Sequence, residues 1–265
     1  MLRLFTTRGF IGLALLAAGW PVMRWYSLRL NDGSDEPWGL VALAAALVFA
    51  PWRSWRDPLP ARRLVWLCGI LAIYIVAYPW MPPLVRALVL VTTLGLAAAD
   101  RGFPAAWWGL LVLSLPVVAT LQFYLGYPLR LLTTQLCVPL IALAGQTARA
   151  AGTTLYWAGE RVVIDAPCSG LRMLWTGLFF AACLACWHRL DARRAFTLMR
   201  LASLALFLTN VLRATLLFFF ETGLWSAPAG SHEGAGLLCF SLAAGVVLWI
   251  GDRLANTMPP ASAVA

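Results

Sequence analysis

Three short stretches carry side chains able to act on a carbonyl carbon. The first is Ala166-Pro167-Cys168-Ser169-Gly170-Leu171-Arg172. Cys168 follows a proline and stands where a loop becomes an apolar helix. Exposed N–H groups and the positive dipole end favour an anion there, which would lower the thiol's pKa toward the reactive thiolate. Arg172, four residues on, is expected on the same helical face. The second stretch is Asn210-Val211-Leu212-Arg213, deep in an apolar run. A charge at depth costs at least about 2.5–3.5 kcal/mol on insertion scales, so Arg213 must face the interior or water and find partners. Asn210, three residues before it, shares its face. The third is Ser231-His232-Glu233-Gly234, just ahead of the last apolar run.

Each stretch alone has a plain structural explanation: a packed Cys beside a capping Ser, a structural ion pair, a loop His. Together they supply a thiol nucleophile, a fixed cation for an oxyanion and an imidazole for proton transfer. That is the minimal set for thioester acyl transfer. All 20 basic residues are Arg, so Ser/Lys dyads and Schiff-base chemistry are excluded. Cys183 and Cys186 form a Cys-x-x-Cys, but Cys186 lies 18 residues beyond Cys168, about 27 Å along a helix, and is read as packing. His188 falls in an Arg-rich connection and is read as solvated. The sequence shows no metal-ligand cluster, Gly-rich phosphate loop, Gly-x-Ser-x-Gly or His-Glu-x-x-His, so no metal and no cofactor are expected.

What must position these residues is a membrane. Of 265 residues 62% are apolar and 12% charged, with a mean hydropathy of +0.79. A soluble domain carries about 45–50% apolar and about 25% charged residues. Apolar runs near 9–28, 37–52, 64–81, 84–99, 104–125, 168–187, 197–221 and 234–252 predict an all-α, polytopic helical bundle of about eight spans. The first run is read as an uncleaved span rather than a signal peptide. The arginines come in small groups between runs, as topology signals do, and not in the contiguous patch that nucleic acid would need. Arg53, Arg56, Arg62 and Arg63 in one connection, and Arg189, Arg193 and Arg194 in another, are expected inside. Alternating outward from them, the inner side carries a net +8 and the outer side +1. Cys168, Arg213 and His232 then all fall at the outer face.

Residues 128–150, with Pro139 and several polar side chains, are read as an amphipathic helix in the outer interface. Residues 153–165, β-branched and aromatic around Ala158-Gly159-Glu160, predict a short outer hairpin leading into Cys168. The expected organisation is one integral membrane domain. It comprises N-terminal spans (1–126), an outer interfacial helix and loop (127–167) and the spans carrying the site (168–253).

The string Cys168-Ser169-Gly170-x-Arg172, then Asn210-x-x-Arg213, then His232 before a glycine-containing last helix, resembles the exosortase/archaeosortase family over about the last 140 residues. The resemblance implies a membrane-embedded cysteine transpeptidase or protease of the cell inner membrane. Its substrates would be exported proteins ending in a sorting motif (Pro-Glu-Pro in the best-known branch), a hydrophobic helix and a basic tail. Cys168 would be the nucleophile, Arg213 the oxyanion or thiolate stabiliser and His232 the acid/base, with Ser169, Gly170, Arg172 and Asn210 supporting. Its further partners would be membrane lipid and an outer-surface acceptor. Two other classes fit fewer residues. One is a transport-type or non-catalytic membrane protein, with Arg213 and Glu221 as a polar pathway. The other is a thiol–disulfide oxidoreductase, for which only Cys168 and Cys137 qualify as outer thiols.

Overall fold

The structure, a computed structural model, describes residues 7–31, 38–50, 59–98, 105–226, 228 and 230–257. Arg3, Arg53, Arg56, Asp57, Asp100 and Arg101, on which part of the charge count rests, lie outside the described residues, as do Asp32, Asp35 and Glu36. The chain divides into two compact units: Met1–Val117 with Ala185–Ala192, and Val118–Leu184 with Arg193–Ala265.

The first unit holds helices α1 (Thr7–Ala18), α2 (Trp20–Asn31), α3 (Trp38–Val48), α4 (Ala61–Ala77), α5 (Pro83–Ala98) and α6 (Ala106–Leu113). The run at 9–28, expected as one span, is two helices parted at Gly19. Pro21 brings no N–H and its ring crowds the preceding turn, so the helix breaks just before it. Leu15, Leu67, Tyr74, Leu90 and Ala97 form the core of this unit. The indole N–H of Trp107 donates to the Ala46 carbonyl at 2.8 Å and the Tyr26 hydroxyl to the Ser114 carbonyl at 2.9 Å.

The second unit holds α7 (Val118–Leu143), strands β1 (Arg149–Ala151), β2 (Thr154–Trp157) and β3 (Glu160–Val163), and helices α8 (Leu171–Trp187), α9 (Ala192–Glu221) and α10 (Ser231–Asn256). Helices fall on all eight apolar runs. Among the described residues three are long and apolar enough to cross a bilayer: Ala61–Trp80, Ala192–Glu221 and Ser231–Asn256. The broken pair Ala106–Leu113 and Val118–Leu143 makes a fourth if it is one span. The all-α membrane architecture therefore stands, while the count of eight spans stays an expectation.

The break between 104–125 and 128–150 is not where the sequence put it. Helix α6 stops ahead of Pro116, and a single 26-residue helix then runs through Pro128 and Pro139 to Leu143. A proline costs a helix one N–H and one crowded carbonyl, and here neighbouring turns hold the helix through both.

The expected hairpin is present and gains a third strand. The sheet is an antiparallel meander in the order β1-β2-β3, with Leu155 opposite Val162. Its β2–β3 turn is the pair Ala158 and Gly159, both at positive φ, the conformation that matches the twist of a two-residue hairpin. Leu155, Val162 and Ile164 turn inward onto Cys137 and Ile141 of α7 and Val211, Ala214 and Phe218 of α9. The ladder continues through the Ile164 N–H to the Thr153 carbonyl at 2.8 Å. One residue later the chain is delivered to Asp165 and Cys168.

Helices α9 and α10 run antiparallel, with their register fixed at two levels. At one end Arg194 donates to the Thr257 carbonyl at 3.0 Å. Toward the other, a Cβ on Gly236 would meet Arg213 Nε at 3.4 Å. The Arg213 guanidinium therefore lies at van der Waals distance from α10 at this level.

Candidate active site

Cys168 lies in a 3-10 turn, Pro167–Ser169, between the sheet and α8. Its N–H donates to both the carbonyl and the carboxylate Oδ1 of Asp165, at 3.1 and 3.3 Å. Ser169 is buried; its hydroxyl donates to Gln122 Oε1 at 3.1 Å and accepts the Leu171 N–H at 3.4 Å, capping α8. Gly170 follows at φ +75°, and an added Cβ would stand 2.5 Å from the Asn210 side-chain carbon. Only glycine satisfies both the left-handed backbone and the close approach. Asn210, 2% exposed on α9, donates from Nδ2 to the Cys168 carbonyl at 3.2 Å, while its Oδ1 is buried without a partner. Cys168, Ser169, Gly170 and Asn210 thus form one locked corner.

The left-handed step at Gly170 has a consequence for Arg172. Cys168 is not in α8, so the four-residue helical relation expected between them does not hold. The cation whose charge reaches the thiol is Arg213. Arg213 is half-buried and makes no ion pair among the described residues, and its Nε is buried with no hydrogen-bond partner. A structural ion pair therefore does not account for it.

The expected lowering of the Cys168 pKa is reversed. Burial, then the thiol's hydrogen bond to the Asp165 carboxylate and that group's charge, push it up to about 11; Arg213 pulls the other way and Glu221 adds to the rise. The dipole argument failed because α8 begins at Leu171, beyond the left-handed step. The resting thiol is protonated. Alkylation by iodoacetamide, in a variant keeping Cys168 as its only cysteine, is therefore expected to be slow at pH 7. It should climb about tenfold per pH unit toward pH 11, as the thiolate fraction does. Asp165→Asn, which removes the nearest negative charge, should move that curve to lower pH. A rate already flat by pH 8 would contradict this arrangement.

His232 is the second residue of α10, exposed in its first turn and not in the loop ahead of it. No hydrogen bond joins it to Cys168; its charge interacts with Glu221, and the charge of Glu221 in turn reaches Cys168. The structure thus brings Cys168, Arg213 and His232 into one neighbourhood of the second unit and adds two carboxylates, Asp165 and Glu221. Asp165 carried a signal the sequence offered, an acid three residues before the cysteine and positioned for an Asx-type turn. Gln122 had none, because only the fold brings α7 beside Ser169. Cys183 and Cys186 lie in the body of α8, and all six cysteines are free.

Beside this corner Leu129, Leu174, Leu204 and Phe207 line an apolar cavity of about 290 Å³ that reaches Gly170 and Asn210.

Compared with known proteins, residues 6–249 match a family model described as transmembrane exosortase. No curated protein and no solved structure matches the chain.

Proposed function

The chain belongs to the transmembrane exosortase family, and on that premise we propose that it is a membrane-embedded cysteine transpeptidase or protease acting on exported proteins. The observation carrying this is the convergence of the Cys168 thiol, the unpaired Arg213 guanidinium and His232 in one neighbourhood of the second unit. The substrate is an exported chain whose C-terminus bears a short sorting motif of the Pro-Glu-Pro kind, a hydrophobic helix and a basic tail. It reaches the enzyme laterally through the lipid.

In the chemical step the Cys168 sulfur attacks the scissile carbonyl as its proton passes to His232. The oxygen takes up negative charge against Arg213, whose Nε has no hydrogen-bond partner among the described residues to give up. Collapse of the tetrahedral intermediate breaks the C–N bond. His232 returns the proton to the departing amine, leaving a thioester on Cys168. Water, or an amine of an outer-surface acceptor, then attacks the thioester and restores the thiol.

The enzyme sits in the cell inner membrane with this site outward. Arg193 and Arg194 begin α9 and Glu221 ends it, so the Arg-rich connection and the site lie at opposite ends of one apolar helix. In intact cells a membrane-impermeant thiol reagent at pH 9 is expected to modify a variant retaining Cys168 alone. Protection of Cys168 until the cells are permeabilised would overturn the sidedness.

A further inference from the structure

The thioester route uses neither carboxylate of the site: Asp165 is held by the Cys168 N–H, and Glu221 is left. Glu221 is the last residue of α9 and the only acid in that helix of 30 residues. Its position follows from the α9–α10 register. Gly236 packs on Arg213, and the opposite ends of the two helices meet through Arg194 and Thr257. From the Arg213–Gly236 level, His232 lies one turn up α10, about 6 Å, and Glu221 about two turns up α9, about 12 Å. The remaining offset of about 6 Å along the axis is within what a Glu and a His side chain cover between them. Both residues are exposed at this end, so nothing packs between either side chain and solvent. The charges of the two groups interact, and among the described residues His232 is the cation that acts on Glu221.

We propose that Glu221 is a positioning residue for His232: its carboxylate turns the imidazole toward the Cys168 thiol and steadies the imidazolium that forms when the thiol gives up its proton. This rests on His232 being the acid/base of the proposed reaction. A carboxylate behind a histidine holds the ring orientation and stabilises its charged form without itself exchanging a proton, as in other nucleophile–histidine–acid arrangements. The other charged or titratable groups around the pair are Asp165 from the segment after β3, Cys168 ahead of α8, Arg213 lower on α9 and Glu233 next along α10. Asp165 is committed to the Cys168 N–H and thiol. Glu233 follows His232 on the helix and projects about 100° away from it. Glu221 is the acid left to face the imidazole from another element.

The test uses the full chain in membranes, with a tagged exported protein ending in a Pro-Glu-Pro motif, an apolar helix and an arginine tail as the probe. Processed fraction is followed over time at matched membrane levels. Glu221→Gln is expected to process about tenfold more slowly than wild type. Glu221→Asp should recover most of the rate. Because Glu221 is exposed, its replacement removes no packing, and Glu221→Ser serves the same comparison should the Gln variant fail to accumulate. A normal rate in Glu221→Gln overturns the inference, and so does a slow rate that Glu221→Asp does not recover, which is the signature of a structural defect. If His232→Ala itself processes normally, the acid/base assignment falls, which is a different failure from a silent Glu221.

Discussion

Cys168→Ala is expected to leave no processing at all. Without the sulfur no thioester forms, and water attacking the peptide unaided gains only what Arg213 and binding contribute. Cys168→Ser should be nearly as inactive. A serine hydroxyl gives up its proton far less readily than a thiol, even one pushed up to about 11 as Cys168 is. Cys183→Ala and Cys186→Ala, in the body of α8, should process at wild-type rates. The measurement is the size shift of a tagged substrate over time at equal enzyme levels. Robust cleavage by Cys168→Ala would end the acyl-enzyme mechanism, and inactive Cys183 or Cys186 variants would relocate the chemistry.

The second large effect belongs to Arg213. Its Nε is buried and unpartnered among the described residues, it lies against Gly236 of α10, and its charge reaches Cys168. Such a group is set in place before any substrate arrives. Removing one oxyanion donor typically costs about 2.7–4 kcal/mol, or roughly 100–1,000-fold in rate. Arg213→Ala should therefore be effectively dead. Arg213→Lys is the more informative change. Lysine restores the charge but offers a mobile point where arginine offers a planar fork, so processing at least about tenfold slower than wild type is expected, with normal insertion. Arg172→Lys should be close to wild type, since Arg172 is exposed and its charge is not among those that reach the thiol. A wild-type rate in Arg213→Lys would assign this arginine to structure alone.

The residues proposed for the chemistry were legible because each broke a local rule. A charge inside an apolar run, a cysteine after a proline and a histidine at the edge of a span all need a reason to be there. The hairpin was legible from Ala158-Gly159, whose positive φ values a two-residue turn demands. What the sequence misplaced depended on where a helix starts. The N-terminus of α8 was expected at Cys168, and Gly170 moves it to Leu171. That one step removes the dipole from the thiol, takes Arg172 off its face and leaves burial, followed by Asp165, to raise its proton affinity. Helix α7 was misjudged for the opposite reason. Pro139 and the polar side chains set 128–150 apart as a separate amphipathic helix, whereas one helix runs from Val118 through Pro128 and Pro139 to Leu143. Gln122 and Glu221 could not be ranked beforehand, because their importance comes from helix pairing across 47 residues in one case and from the α9–α10 register in the other.

The length of α9 has a kinetic consequence. From Arg194 to Arg213 the helix rises about 28 Å, close to the thickness of a bilayer's hydrocarbon, so the proposed site would work at the level where acyl chains give way to headgroups. The proposed substrate, anchored by its own helix, would present its scissile bond at that same level and stay there while it diffuses in the plane of the membrane. Encounter is then a two-dimensional search. The quantity that governs turnover is the number of substrates per lipid, and bulk concentration drops out. Adding empty lipid slows such an enzyme as surely as removing substrate does, and crowding of the leaflet by other proteins becomes a control on its rate.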